Sequence, residues 1–179
     1  MKKIKINYLN NEFLLNESVL QNTDFHGNAT NPKVVINRVV GATMIKQFVK
    51  KHFKGIKVWS TSETFSMGNA IDVNVSNVDG SPIPTENYEK IDSFAQSLRM
   101  GRFNGMEDIY EYNRRDKKTD NGIELETWCK YITVNNSPKF GTIEWGLENL
   151  RKNENETPED ILYYIDNNKK EKFLEAVKS

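Results

Sequence analysis

The chain has 179 residues, 37% of them apolar and 28% charged, with 10 Gly and 5 Pro, which is the composition of a polar globular domain and excludes a disordered or collagen-like chain. Lys plus Arg and Asp plus Glu number 25 each, for a formal charge of zero. No apolar run is long enough to span a bilayer, the opening MKKIKINYLNNEFLL lacks the apolar centre of a signal peptide, and the one cysteine, Cys129, cannot form an internal disulfide. The expectation is a cytoplasmic protein, without a membrane partner, forming a single domain over 1–179.

Charge is segregated along the chain. Residues 1–54 hold nine Lys/Arg against three Asp/Glu, residues 55–113 four against nine, residues 114–140 six against four, and residues 141–179 six against nine. That distribution offers a basic face to nucleic acid and an acidic face to a basic protein, or else only solvated helix surfaces.

In chain order, KKIKINYL at 2–9 reads as an edge strand protected by its lysines. Residues 22–33, rich in Asn, Gly and Pro, read as a loop. Asn37 is a good N-cap for a helix reaching about Phe53, with Val40, Met44, Phe48 and His52 on one stripe and Ile45, Val49 and Phe53 beside it. Gly55 stands where a C-cap glycine belongs. A strand over 56–62 then meets the turn Ser66-Met67-Gly68-Asn69 and a second strand whose Ile71, Val73 and Val75 alternate with Asp72, Asn74 and Ser76. A helix is predicted from Pro84 to about Met100. Residues 109–113 and 123–134 read as strands flanking a projecting hairpin tip, and Thr142 and Thr157 begin two C-terminal helices, the second with Pro at its first position. The predicted fold is α+β: a small, mainly antiparallel sheet with two helices on one face, a projecting β-hairpin and a C-terminal helical cap. Its core module covers about 37–136, and a helical extension covers 141–179.

Few residues suggest chemistry. Two histidines and one cysteine without ligand spacing give no zinc site, and neither a phosphate-binding loop nor a nucleophile elbow is present. Asp72, Asp79 and the Glu107-Asp108 pair could gather magnesium, although Asp79 in Asp-Gly-Ser-Pro is also an ordinary turn former. Asp116-x-Lys118 imitates the tail of a nuclease motif with Asp108 upstream, at too short a spacing. His52 has the intrinsic pKa of a general base but continues a core stripe, and Cys129 reads as packing. No metal, no cofactor and no catalytic residue is assigned. The strongest candidate is the tip, where Arg114, Arg115, Lys117 and Lys118 would grip phosphates. Tyr112 beside it, with Tyr110 and Trp128, would stack bases. Trp59 and Phe65 are candidate anchors for a protein partner.

Five short motifs in a fixed order carry a resemblance. They are the run from Lys50 through Phe53-Lys54-Gly55-Ile56-Lys57-Val58-Trp59-Ser60, then Ser66-Met67-Gly68, Ile71-Asp72-Val73-Asn74-Val75, Asp79-Gly80-Ser81-Pro82, and Phe103-Asn104-Gly105-Met106-Glu107-Asp108. Together they resemble the large polyvalent-protein-associated domains of phage and mobile elements, with a departure at Lys54, where that family tends to have Pro. The resemblance spans Gly41 to Tyr110, with a possible extension through the strand at 130–134, and implies a mobile-element setting. With the compact size and segregated charge, the expectation is counter-defence: an anti-CRISPR inhibitor of a type II RNA-guided effector nuclease, acting on the effector protein and/or its guide RNA. Two alternatives stay open, a small ribonuclease acting on the guide and a non-enzymatic interaction module of phage or plasmid proteins. Oligomeric state and enzymatic activity are left open as well.

Overall fold

A computed structural model describes residues 2–23, 26–104, 106, 107, 109–113, 116–136 and 140–178. Lys3–Tyr8 (β1) and Asn11–Asn16 (β2) pair antiparallel across Leu9 and Asn10, both at positive φ (50° and 58°). Such a two-residue turn matches the twist of its strands, but Leu is rare in that conformation. Its neighbours hold it there: Asn11 Nδ2 donates to the Leu9 carbonyl (2.8 Å) and the Asn10 amide to Asp120 Oδ2 (3.0 Å).

Leu20–Thr23 (β3) pairs antiparallel with Ala29–Ile36 (β4). The expected loop at 22–33 thus contains the end of β3 and the first five residues of β4. Sheet pairing outweighs the poor strand propensity of its Asn and Pro. Arg38–His52 (α1) follows, with Asn37 Oδ1 accepting from the Val39 and Val40 amides at 3.0 Å, as the cap predicts. Met44, Ile45 and Val49 are fully buried.

Ile56–Phe65 (β5) and Gly68–Asn77 (β6) form the predicted hairpin, Phe65 opposite Gly68. Thr85–Ser97 (α2) comes next, then Gly101–Asn104 (β7) and Ile109–Tyr112 (β8), which pair with one another. The projecting hairpin is therefore β7–β8, with Phe103 and Met106 exposed, and 109–113 does not pair with 123–134. Nor is 123–134 one strand. Glu124–Thr127 (β10) runs parallel to β4 and antiparallel to Lys117–Lys118 (β9), whereas Tyr131–Asn135 (β11) runs parallel to β6. Between them the chain crosses from one sheet to another. The Trp128 amide donates to the Ile36 carbonyl (2.8 Å), and the Asn69 side chain bonds both the Trp128 carbonyl (2.8 Å) and the Lys130 amide (3.1 Å). An asparagine amide replaces two ladder bonds, so the backbone stays paired through the break.

The sheet orders are β3-β4-β10-β9 and β11-β6-β5, with separate β1-β2 and β7-β8 pairs. Helices α1 and α2 lie on the face of the β11-β6-β5 sheet that carries Ile71, Val73 and Val75, all fully buried. Phe94 of α2 stacks on Phe48 of α1 (4.2 Å) and Phe13 of β2 (5.4 Å), joining the N-terminal hairpin to the same core. A buried ion pair, Lys33 Nζ to Glu126 Oε2 at 2.6 Å, links β4 to β10.

Ile143–Lys152 (α3), Pro158–Leu162 (α4) and Lys170–Lys178 (α5) enclose a second apolar cluster around Ile161, Ile165 and Phe173. Thr142 and Thr157 cap α3 and α4 as the sequence predicts, Thr157 and Asp160 forming a reciprocal capping box. The molecule is α+β with mainly antiparallel sheets and a helical C-terminal part. Among the described residues, no helix is long and apolar enough to cross a membrane.

Candidate nucleic-acid interface

Side chains alternate across a strand. With Ile71, Val73 and Val75 turned to the core, the opposite register of β6 faces away from α1 and α2: Ala70, Asp72, Asn74 and Ser76. Their partners share that outer face, Thr61, Glu63 and Phe65 coming from β5 and Tyr131, Thr133 and Asn135 from β11. One end of this face is aromatic. Phe65 and Tyr131 stack with centroids 6.0 Å apart, Tyr131 meets Tyr110 edge-on at 6.3 Å, and Tyr110 packs on Tyr112 at 4.9 Å.

A cation is fixed within this row. Lys130 Nζ stands 5.1 Å from the Tyr110 centroid and 5.4 Å from that of Tyr131, and donates to the Met67 carbonyl at 2.7 Å. Gly68 makes the position accessible, because a Cβ there would come within 2.6 Å of Lys130 Cδ, and its φ of +148° suits glycine. The Tyr110 hydroxyl donates to the Lys130 carbonyl (2.9 Å). Burial pushes that phenol's pKa up, against the opposing pull of Arg99. Tyr112 is 59%, Phe65 41% and Tyr131 38% exposed, so ring surface is open to solvent beside a held ammonium. Bases stack on such rings whatever their sequence, and the ammonium attracts phosphate.

Three of the residues expected from sequence, Tyr112, Phe65 and Trp59, lie on or beside this face. Trp59 sits at its other end, its Nε1 buried without a hydrogen-bond partner, against a cavity of about 170 Å³ shared with Lys57, Ser76 and Glu144. Arg114 and Arg115 lie outside the described residues. Lys117 turns inward: its ammonium donates to the Arg99 carbonyl (2.8 Å) and to Asn113 Oδ1 (3.0 Å), and burial lowers its pKa. Lys118 is exposed on β9, opposite Glu124.

Among the described residues the candidate carboxylates do not converge. Asp72 is half-buried on the outer face, Glu107 is exposed in the β7–β8 connection, and Asp108 lies outside the described residues. Asp79 Oδ1 accepts from the Ser81 hydroxyl (2.6 Å) and amide (2.9 Å), bonds that hold its carboxyl below the ordinary range. Among the described residues, no group of three His, Cys, Asp or Glu side chains could hold a metal. His52 Nε2 meets Asn11 Oδ1 at 2.5 Å. Since Asn11 Nδ2 donates to Leu9, its Oδ1 accepts and the histidine donates. Cys129 is fully buried against Gly41, where an added Cβ would lie 2.8 Å from its sulfur, and burial pushes its thiol up to about 12.

The family model described as Large polyvalent protein associated domain 29 matches residues 37–140. The chain belongs to that family. Its family segment opens at Asn37, the cap of α1, and runs through α2 and β11 to Phe140. The whole aromatic row lies within this large polyvalent protein associated domain. Strand β4, which pairs with β10 inside it, and helix α3 lie outside the matched segment. No curated protein and no solved structure matches the chain.

Sequence reasoning missed Lys130 and Tyr131. The signal was available in the alternation of β11, where Ile132 and Val134 are apolar and Tyr131 falls in the polar register with Thr133 and Asn135. An aromatic on the face that avoids the core is an interaction residue in waiting.

Proposed function

We propose that this protein is a mobile-element counter-defence protein that acts by binding, laying single-stranded RNA along the outer face of the β11-β6-β5 sheet. The guide of a type II RNA-guided effector is the expected target, in the cytoplasm. The observation that carries this reading is the row Phe65, Tyr131, Tyr110 and Tyr112 with the Lys130 ammonium fixed between two of its rings. A row of stacking surfaces with one held cation suits bases and phosphates of an unpaired strand. Duplex cannot use the rings, because its bases are already stacked. Membership of the large polyvalent protein associated domain family, which the sequence motifs tie to phage and mobile elements, supports the setting.

The test is a denaturing gel of guide and target DNA, run with a guide-loaded type II effector at substoichiometric and excess ratios of this protein. Binding predicts an intact guide and DNA cleavage blocked only at excess. A shortened guide at substoichiometric protein would replace this reading with a ribonuclease. Unimpaired cleavage with an intact guide would remove the type II target.

A further inference from the structure

The outer face of the sheet ends, beyond Thr133, in a pocket that the aromatic row does not reach. Asn74 of β6 and Asn135 of β11 form its floor, and Phe140, Trp145, Glu148 and Lys152 form its walls, enclosing about 330 Å³. That volume falls at the lower end of small-ligand sites. Trp145 and Phe140 pack at 4.5 Å, presenting ring surface at the rim. Glu148 is the unusual member. It is 4% exposed, and Lys152 Nζ lies 2.6 Å from its Oε1. The ammonium balances the charge and occupies one side of one oxygen, and because an ionised carboxylate offers about four lone-pair sites, acceptor capacity remains. Neither the Asn74 nor the Asn135 side-chain amide has a partner among the described residues.

Here a buried carboxylate is accompanied by two Asn side-chain amides and two aromatic rings, in a slot on the same face as the stacking row. The geometry points to a pocket for a single unstacked guanine. Of the RNA bases, guanine alone presents two adjacent donors, N1–H and the N2 amino group, to a carboxylate's two oxygens. An Asn amide can meet its O6, and Trp145 can cover its face. This inference rests on the proposed RNA-binding face and adds base identity to it. The pocket is completed by α3, which lies outside the family segment, so the preference belongs to this chain's own C-terminal helices.

The test compares labelled oligouridine with the same strand carrying one central guanosine, by fluorescence anisotropy on the full chain. In parallel, guanosine and adenosine monophosphates are titrated while tryptophan fluorescence is followed. A bidentate base contact predicts a preference for the guanosine strand on the order of tenfold, with quenching by guanosine monophosphate at lower concentration than by its adenosine counterpart. Glu148→Gln should erase the preference while leaving oligouridine binding and the melting temperature near the parent's. Equal affinity for both strands would overturn the pocket and leave the RNA-binding face standing. If neither strand binds, the RNA-binding reading fails, and the mononucleotide titration alone decides the pocket: no difference between the two nucleotides overturns it.

Discussion

The rings of Phe65 and Tyr131 come from the two edge strands of one sheet and stack across the middle strand, over Gly68 and Ala70, at 6.0 Å. Small residues at the two central positions leave the space that the rings share. Because both rings stay partly exposed, their contribution is expected in binding more than in stability. Tyr131→Ala should weaken single-stranded RNA binding by roughly 5- to 150-fold, the range of one lost base–aromatic stack, with a melting temperature within a few degrees of the parent's. Anisotropy and thermal denaturation on the same sample check both halves.

Lys130 is held by Gly68 as much as by the rings. Gly68→Ala forces a Cβ to within 2.6 Å of Lys130 Cδ at a φ of +148°. The variant should lose on the order of 1 kcal/mol of stability or more and bind RNA with a shallower salt dependence, because one fixed cation is displaced. Denaturant titration and a salt series on the variant measure the two effects separately.

In most helices Gly→Ala is stabilising by about 1 kcal/mol. Gly146 of α3 should show the opposite sign. Its Cβ would lie 2.6 Å from Phe173 Cε2 and 2.8 Å from Ile165 Cδ1, so α5 and the segment after α4 must move away. Overpacking of this kind costs about 1–3 kcal/mol. Gly146→Ala is expected to lower the melting temperature and raise hydrogen exchange in α3, α4 and α5; a stabilised variant would contradict the packing described.

The Lys33–Glu126 pair, 17% and 2% exposed at its side chains, makes a third point about stability. Lys33→Met removes the ammonium from beside a buried carboxylate and should be destabilising, by up to about 3–5 kcal/mol, the range for breaking a buried pair. Adding Glu126→Leu should recover much of that loss, since the charge needing compensation is gone. Urea midpoints of the two variants and the parent give the coupling.

Alkaline pH should destabilise the protein through Cys129. Its thiol is pushed from the ordinary 9.0 up to about 12 by burial. Between those values the unfolded chain has lost its proton while the folded chain retains it, so folded protein binds more protons and stability falls as pH rises. Tyr8 and Tyr110, both raised by burial, act in the same direction from about their ordinary 10.0. Lys117, lowered by burial, acts oppositely below 10.5. Cys129→Ala should lie lower throughout, because it leaves a cavity, but lose stability less steeply across pH 9 to 12.

The parts of the fold legible in the sequence are those specified by local chemistry. Asn37, Thr142 and Thr157 announce helices because a side-chain oxygen must meet orphan amides within the next three residues. The Ile71-Val73-Val75 alternation identifies its strand because burial repeats every second residue. What stayed hidden depends on distant partners. The division of 123–134 into β10 and β11 is set by Ile36 and Asn69, neither near it in sequence. The strand at 29–36 is held by pairing, against its own composition. Lys117 looked like a phosphate grip beside Lys118, but the Arg99 carbonyl, 18 residues earlier, takes its ammonium. For the same reason Lys130, an unremarked residue beside Cys129, becomes the fixed cation of the interface only after β6 brings Gly68 beneath it.

The most direct test is ultraviolet cross-linking of thiouridine-substituted single-stranded RNA to the full chain, with mass spectrometry locating the attached residues. Attachment is expected at Phe65, Tyr110, Tyr112 and Tyr131, suppressed by unlabelled single strand and not by duplex. Cross-links confined to α1, α2 or the N-terminal hairpin, or absent altogether, would contradict it.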